Sequence, residues 1–247
     1  MLTPERPFPI LDPWLRAQAV RIGQSMGSAQ IETVVDKLGN PSFALLDAVG
    51  RSNPEPLFKL TLPIVVRALS SGVPLHQLIH ELEAALAGQA LGPLGLGILR
   101  FETKERRVEL LNAGLPPIAC VDAAGDTCRH ETQSSPIGLL PNELHSYKLI
   151  PLTQEATWFL TSTGVFQGPQ ATHSYQSFLT ELHLERWGSR LCLAPLEESS
   201  RLVAGALWRA ELNPDDGACL FINLPGPGHA ANDAASTRPP KKPSPRP

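Results

Sequence analysis

Leu110-Leu111-Asn112-Ala113-Gly114-Leu115-Pro116-Pro117 lies at the centre of a long run of strand-like segments, and the fold is read outward from it. Just before it, residues 98–103 and 107–111 flank the charged turn Lys104-Glu105-Arg106. Just after it, residues 118–121 and 127–131 flank Asp122-Ala123-Ala124-Gly125-Asp126. Residues 144–152 and 157–163 continue the pattern, with polar residues between them. Short apolar segments at this spacing, separated by turn residues, predict antiparallel strands joined in meanders.

Upstream, rough alternation over residues 15–25 predicts a strand. Residues 31–38, the turn Gly39-Asn40-Pro41 and residues 42–46 predict a hairpin whose second strand ends on Asp47. Two helices follow. The first comes after Pro54 and Pro56, and Pro63 either kinks it or starts its main body, which runs to Ser70. The second begins near Pro74 and carries Leu75, Leu78, Ile79, Leu82 and Leu86 on one face, the spacing of a core-facing amphipathic helix. A glycine-rich stretch from Gly88 to Gly97 then returns the chain to sheet. Downstream, helices are expected over about 172–187 and 196–211, and a final strand over 218–224. Strands grouped apart from helices imply an α+β fold, two sheets covered by helix pairs, and not a doubly wound parallel sheet.

The chain of 247 residues has an ordinary apolar share of 42%, enough to bury one substantial core. Its formal charge of -3 and lack of a basic stripe with interleaved aromatics argue against nucleic acid as a partner. No run approaches the ~20 apolar residues of a membrane span. Met1-Leu2-Thr3-Pro4-Glu5-Arg6-Pro7 has no basic segment leading into an apolar one, so it does not read as a signal peptide, and a cytoplasmic location is expected. Residues 1–14 read as an extended, proline-rich lead-in, 15–224 as the folded domain, and 225–247 as a disordered proline-rich tail. Cys120, Cys128, Cys192 and Cys219 form no CxxC pair and read as reduced thiols. His76 and His80 stand i, i+4 but have no third ligand, so they read as a solvated helix face. Cys128 and His130 share a strand face without reading as a zinc site, and Ser134-Ser135 lack a paired base. Trp158, Phe159, Trp187 and Trp208 read as packing residues.

The central stretch resembles the Asn-Ala-Gly-His-Pro-Pro segment of the SpoIIE-type branch of the PPM metal-dependent serine/threonine protein phosphatases. The same order continues here through residues 118–121, Gly125-Asp126 and Pro136-Ile137-Gly138-Leu139. Where the family closes an apolar strand on Tyr-Thr-Asp-Gly-Val, this chain has Thr161-Ser162-Thr163-Gly164-Val165. Asp47-Ala48-Val49-Gly50-Arg51-Ser52 matches Asp-Val-Ser-Gly-His-Gly, and Asp215-Asp216 matches the pair before the last strand. Gly27-Ser28-Ala29 matches Gly-Gly-Asp. The resemblance covers about residues 15 to 224 and implies the family's four-layer αββα sandwich.

Proteins of this family are similar in holding two Mg²⁺ or Mn²⁺ ions between their sheets, in cages of carboxylate oxygens. A metal-bridging water attacks the phosphoserine phosphorus, so no protein nucleophile is needed. The resemblance implies metal positions at Asp47, Gly50 and Asp216, or Asp215 in place of Asp216. The two other carboxylate positions fall on Ala29 and Thr163, and Glu32 could serve for Ala29 only if the backbone shifts. Each lost charge is worth about 4 kcal/mol at ~4 Å and an effective dielectric near 20. Mn²⁺ or Mg²⁺ binding is therefore expected to be weak or absent, with room for one weakly held ion at Asp47 and Asp216. Leu115 stands where the family has histidine, and Arg51 would either pair with Asp47 or bind a phosphate. The implied function is a phosphatase-like regulatory protein that binds a partner, such as a phosphoserine-bearing anti-sigma-factor antagonist. The alternative is an active phosphatase with an altered metal shell.

Overall fold

The computed structural model describes residues 2–4, 15–23, 28–50, 53–122, 127–130, 134–140, 143–145, 147–152, 156–166, 198, 201–203, 205–206 and 216–224. In chain order they form β1 (Leu2–Pro4), β2 (Arg16–Gly23), β3 (Ala29–Val35), β4 (Pro41–Ala48), α1 (Glu55–Ser71) and α2 (Leu75–Leu86). There follow β5 (Leu94–Glu102), β6 (Arg107–Ala113), β7 (Ile118–Asp122), β8 (Thr127–His130), β9 (Tyr147–Pro151), β10 (Ala156–Thr161) and β11 (Asp216–Leu224). A 3-10 turn, Thr163–Phe166, follows β10.

The strands divide into a six-stranded sheet, β1-β2-β11-β10-β7-β8, and a five-stranded sheet, β3-β4-β5-β6-β9. Every pair of these strands is antiparallel. The strands are not one continuous meander: β6 turns to β9, and β7 crosses to the other sheet to pair with β10.

β4 shows why both of its faces are apolar. Successive side chains of a strand point to opposite sides. Ala44, Leu46 and Ala48 join Leu69, Leu75, Leu78 and Leu82 in a core under the two helices. Phe43 and Leu45 join Trp158, Leu160, Leu220 and Ile222 in a second core between the sheets. Asp47 alternates onto this second, inter-sheet face.

The helices follow their predicted chemistry. The buried face of α2 is Leu75, Leu78, Ile79, Leu82 and Leu86. Pro63 sits inside an uninterrupted seventeen-residue α1, with Leu57, Val65 and Leu69 carrying the buried face. α1 ends on Gly72 at φ 70, whose N–H bonds Leu69 O while Val73 N–H bonds Ala68 O. This left-handed stop suits glycine. Arg100, buried on β5, donates to the carboxylate of Glu109 at 3.0 Å and to Val73 O at 2.7 Å, which ties the sheet to the α1–α2 connection. Burial raises the Glu109 carboxyl above its usual range, against the opposing charge of Arg100.

Three expectations change. β5 starts at Leu94, not at residue 98, so the last part of the glycine-rich stretch is strand. Leu2–Pro4, within the expected lead-in, pairs along β2. The segment expected as strand over 144–152 narrows to Tyr147–Pro151. The helix expected over 196–211 is represented by helical residues 198, 201–203 and 205–206, with Val203 and Ala206 buried. The helix expected over 172–187, Trp187, Cys192, Trp208 and the tail 225–247 lie outside the described residues. Among the described residues, no helix is long and apolar enough to cross a membrane.

Trp158 and Phe159 pack as expected, Trp158 edge-on to Phe101 and Phe159 against Phe221. His130 stacks on Trp158 with ring centroids 5.5 Å apart. Burial first, and the charge of Lys148 second, hold the His130 imidazole below its ordinary value. The unfolded chain therefore takes up a proton near pH 6.5 that the folded chain resists, so stability is full above about pH 6.5 and falls as the pH drops below it. His130→Phe keeps the stacked ring and removes the titration. Urea unfolding between pH 7.5 and pH 5 is expected to show a shallower acid-side loss in that variant than in the wild type.

Candidate functional site

Asp47 lies near the end of β4 and is 1% exposed. Its Oδ2 accepts the backbone N–H of Thr163 at 2.7 Å and also the Thr163 hydroxyl. Thr163 begins the 3-10 turn that follows β10, so this clasp joins the five-stranded sheet to the six-stranded one. The turn is seated on β11. Ser162 N–H donates to Ala218 O at 2.9 Å, and Ala218 N–H returns a bond to Ser162 Oγ at 2.8 Å. A Cβ at Gly217 would stand 2.6 Å from Val165 Cγ2, so only glycine admits the turn this closely.

Ala29 is the register partner of Asp47 across β3 and β4. The structure thus puts the position matched to Gly-Gly-Asp directly beside the surviving aspartate, and a methyl group occupies it. Glu32 pairs with Ala44, which faces the helices. Directly paired residues share a face, so Glu32 lies on the opposite side of the sheet from Asp47 and does not substitute for a carboxylate at Ala29.

Leu115 fills the space next to this pair. It is 4% exposed and belongs to the inter-sheet core with Ala29 and Leu160. A Cβ at Gly95 would stand 2.7 Å from Leu115 Cδ2, and one at Gly97 3.0 Å from Leu115 Cδ1. Gly95 pairs with Asp47 and Gly97 with Leu45, so two glycines of β5 open the groove into which the leucine leans. The glycine-rich signal therefore marked a strand with a side chain laid across it. Sequence reading missed this because glycine usually weakens a strand.

The central stretch is held by its own side chains. Asn112 Oδ1 accepts Leu115 N–H at 3.3 Å, and Asn112 Nδ2 donates to Pro116 O at 2.9 Å. Gly114 N–H donates to Ser134 O, and Ser134 Oγ donates to Asn112 O. Ser134 is thus a structural hydroxyl. Leu94 and Ile137 exchange two backbone bonds of 2.9 and 2.8 Å, which seats the Pro136-Ile137-Gly138-Leu139 segment against β5.

Gly50 is exposed in the turn after β4 at φ 69. Asp216 opens β11 with its backbone paired to Gly23. Asp215, Arg51 and Ser52 lie outside the described residues. His76 and His80 are exposed on α2, with His76 stacked on Tyr147. Two hard cations need several oxygen ligands around them. Among the described side chains the donors do not fit that demand: one oxygen of Asp47 is taken by Thr163, and Ala29 and Leu115 supply no oxygen side chain. Among the described residues, no group of three or more His, Cys, Asp or Glu could hold a metal ion.

Two antiparallel sheets enclosing an aspartate at a strand end, with paired helices packed outside, define the PPM phosphatase fold. The family profile for stage II sporulation protein E (SpoIIE) matches residues 39–224, and the chain belongs to that family. Among solved structures it is similar to the RsbU and RsbW domains of a Mycobacterium tuberculosis protein, with 13% identity, a TM-score of 0.67, and coverage of 86% of this chain and 62% of that one. It is similar to the PP2C phosphatase domain of SpoIIE from Bacillus subtilis, with a fragment of its regulatory domain, at 13% identity, TM-score 0.63, and coverage of 86% and 64%. RsbX in complex with magnesium matches at 12% identity and TM-score 0.59, over 91% of this chain and all of that one. The chain thus spans less than two thirds of the first two of these structures. No curated protein sequence matches it.

Proposed function

We propose that this chain is a phosphatase-like regulatory protein that acts by binding a protein partner in bacterial partner switching, with hydrolysis lost or severely impaired. The observation that carries this reading is the Asp47–Thr163 clasp. In an active relative of this fold the corresponding positions would both be carboxylates turned toward metal. Here one has become a donor that satisfies the other. Apolar Ala29 and Leu115 belong to the inter-sheet core beside them, where an unpaired cation would be poorly solvated.

The partner proposed is an anti-sigma-factor antagonist bearing phosphoserine. The likeness to a chain that joins RsbU and RsbW domains supports this choice of partner class. Titration of a labelled phosphoserine antagonist, followed by anisotropy, is expected to show saturable binding that is insensitive to chelator. Phosphate release in millimolar Mn²⁺ is expected to stay at background. Chelator-sensitive turnover would favour the second reading, a phosphatase with an altered metal shell. That reading draws on Asp47 holding its place between the sheets and on β11 beginning beside the same 3-10 turn.

A further inference from the structure

We propose that Cys120 and Cys128 form a dithiol site that closes to a disulfide on reaction with a low-molecular-weight disulfide. The pairing is independent of the Asp47 site and of the function proposed above. Both residues are thiols in the structure, and they are direct register partners across β7 and β8. Directly opposed residues of an antiparallel pair share a face, with Cα atoms about 4.5 or 5.5 Å apart. Both spacings lie within the range of about 4.4–6.8 Å that a disulfide spans.

The surroundings give the two sulfurs different parts. Cys128 is exposed on β8, the terminal strand of the six-stranded sheet, where a small oxidant can reach it. Cys120 is half-buried, with Trp158 opposite it on its other side. The row Trp158–Cys120–Cys128 therefore runs from core to surface across three strands. Cys219 is fully buried on β11, and burial pushes its thiol far up, so it stays inert.

In the first step the thiolate of Cys128 attacks one sulfur of oxidised glutathione, breaking that S–S bond and releasing one glutathione thiolate. In the second step the Cys120 thiolate attacks Cys128 Sγ and releases the second glutathione thiolate. The two protein protons pass to the two released thiolates. Two cysteines are oxidised and one small disulfide is reduced to two thiols, so the exchange balances. Closure adds a covalent tie to an edge strand that, among the described residues, is held by its pairing with β7 and by the stacking of His130 on Trp158.

The test is exposure of the full-length protein to oxidised glutathione, alkylation of remaining thiols, trypsin digestion and mass spectrometry. Cleavage after Arg107 and Arg129 leaves both cysteines in one peptide, residues 108–129, and puts Cys192 in another. The wild-type peptide is expected two hydrogens lighter and unalkylated. Cys120→Ser is expected to trap glutathione on Cys128, and Cys128→Ser to remain unmodified at Cys120. Closure in the folded protein should run at least about tenfold faster than in urea, because the strands hold the sulfurs together. Glutathione remaining on wild-type Cys128, a Cys128–Cys192 bridge, no reaction, or equal rates in urea would each overturn the proposal.

Discussion

Thr163→Asp is expected to destabilise the protein by about 3–4 kcal/mol at pH 7.5, where two carboxylates must share one buried space. In the wild type, Asp47 Oδ2 receives both the N–H and the hydroxyl of Thr163. The substitution replaces the hydroxyl donor with an anion, and like charges at ~4 Å repel by about 4 kcal/mol at an effective dielectric near 20. One of the pair then takes up a proton more readily in the folded than in the unfolded state. Stability lost at pH 7.5 should therefore return as the pH is lowered toward 5. Thr163→Ser keeps both donors and is expected near wild type. Thr163→Val keeps only the backbone donor and should cost about 1–2 kcal/mol. Urea unfolding of the three variants at both pH values checks this. A neutral Thr163→Asp at pH 7.5 would mean that the clasp does not hold the sheets.

The second large effect is expected at Gly114, in the stretch that decides the fold. Its φ is 71, a region where a side chain costs about 1–2 kcal/mol. A Cβ there would also stand 2.3 Å from Pro136 Cγ and 2.6 Å from Pro136 Cα. The proline cannot retreat freely, because the next residue, Ile137, is bonded twice to Leu94. Gly114→Ala should therefore cost about 3–5 kcal/mol or prevent folding. Gly88→Ala separates the two causes. Gly88 has φ 72 but nothing within 4 Å of an added Cβ, so its loss should stop at about 1 kcal/mol. Thermal unfolding that gives equal losses at the two positions would remove Pro136 from the explanation.

These two sites show what in the sequence was readable. Asn112, Gly114, Pro136 and Gly138 retain the family pattern because they build the turn and the seat for the following segment, whatever chemistry the site performs. The face of α2 was legible because a helix with one buried side carries its period openly. β4 and β10 are buried along their whole lengths, so their alternation is erased and the assignment of strands to sheets could not be read. The β7–β8 hairpin illustrates this: nothing local says that it belongs across the gap from β5–β6. At the site, Ala29, Asp47 and Thr163 fell on motif positions, and the fold brings them together. The role of Leu115 was hidden, since its groove is made by Gly95 and Gly97, residues that read as a loop. Ser162 was also missed, because its bonds to Ala218 depend on β11, more than fifty positions away.

The space around Asp47 is expected not to assemble two divalent cations. Calorimetric titration of Mn²⁺ into the protein, with Asp47→Asn alongside, tests it most directly. No pair of sites tighter than about 1 mM is expected, and no more than one weak ion. Two sites tighter than that, both lost in Asp47→Asn, would contradict it.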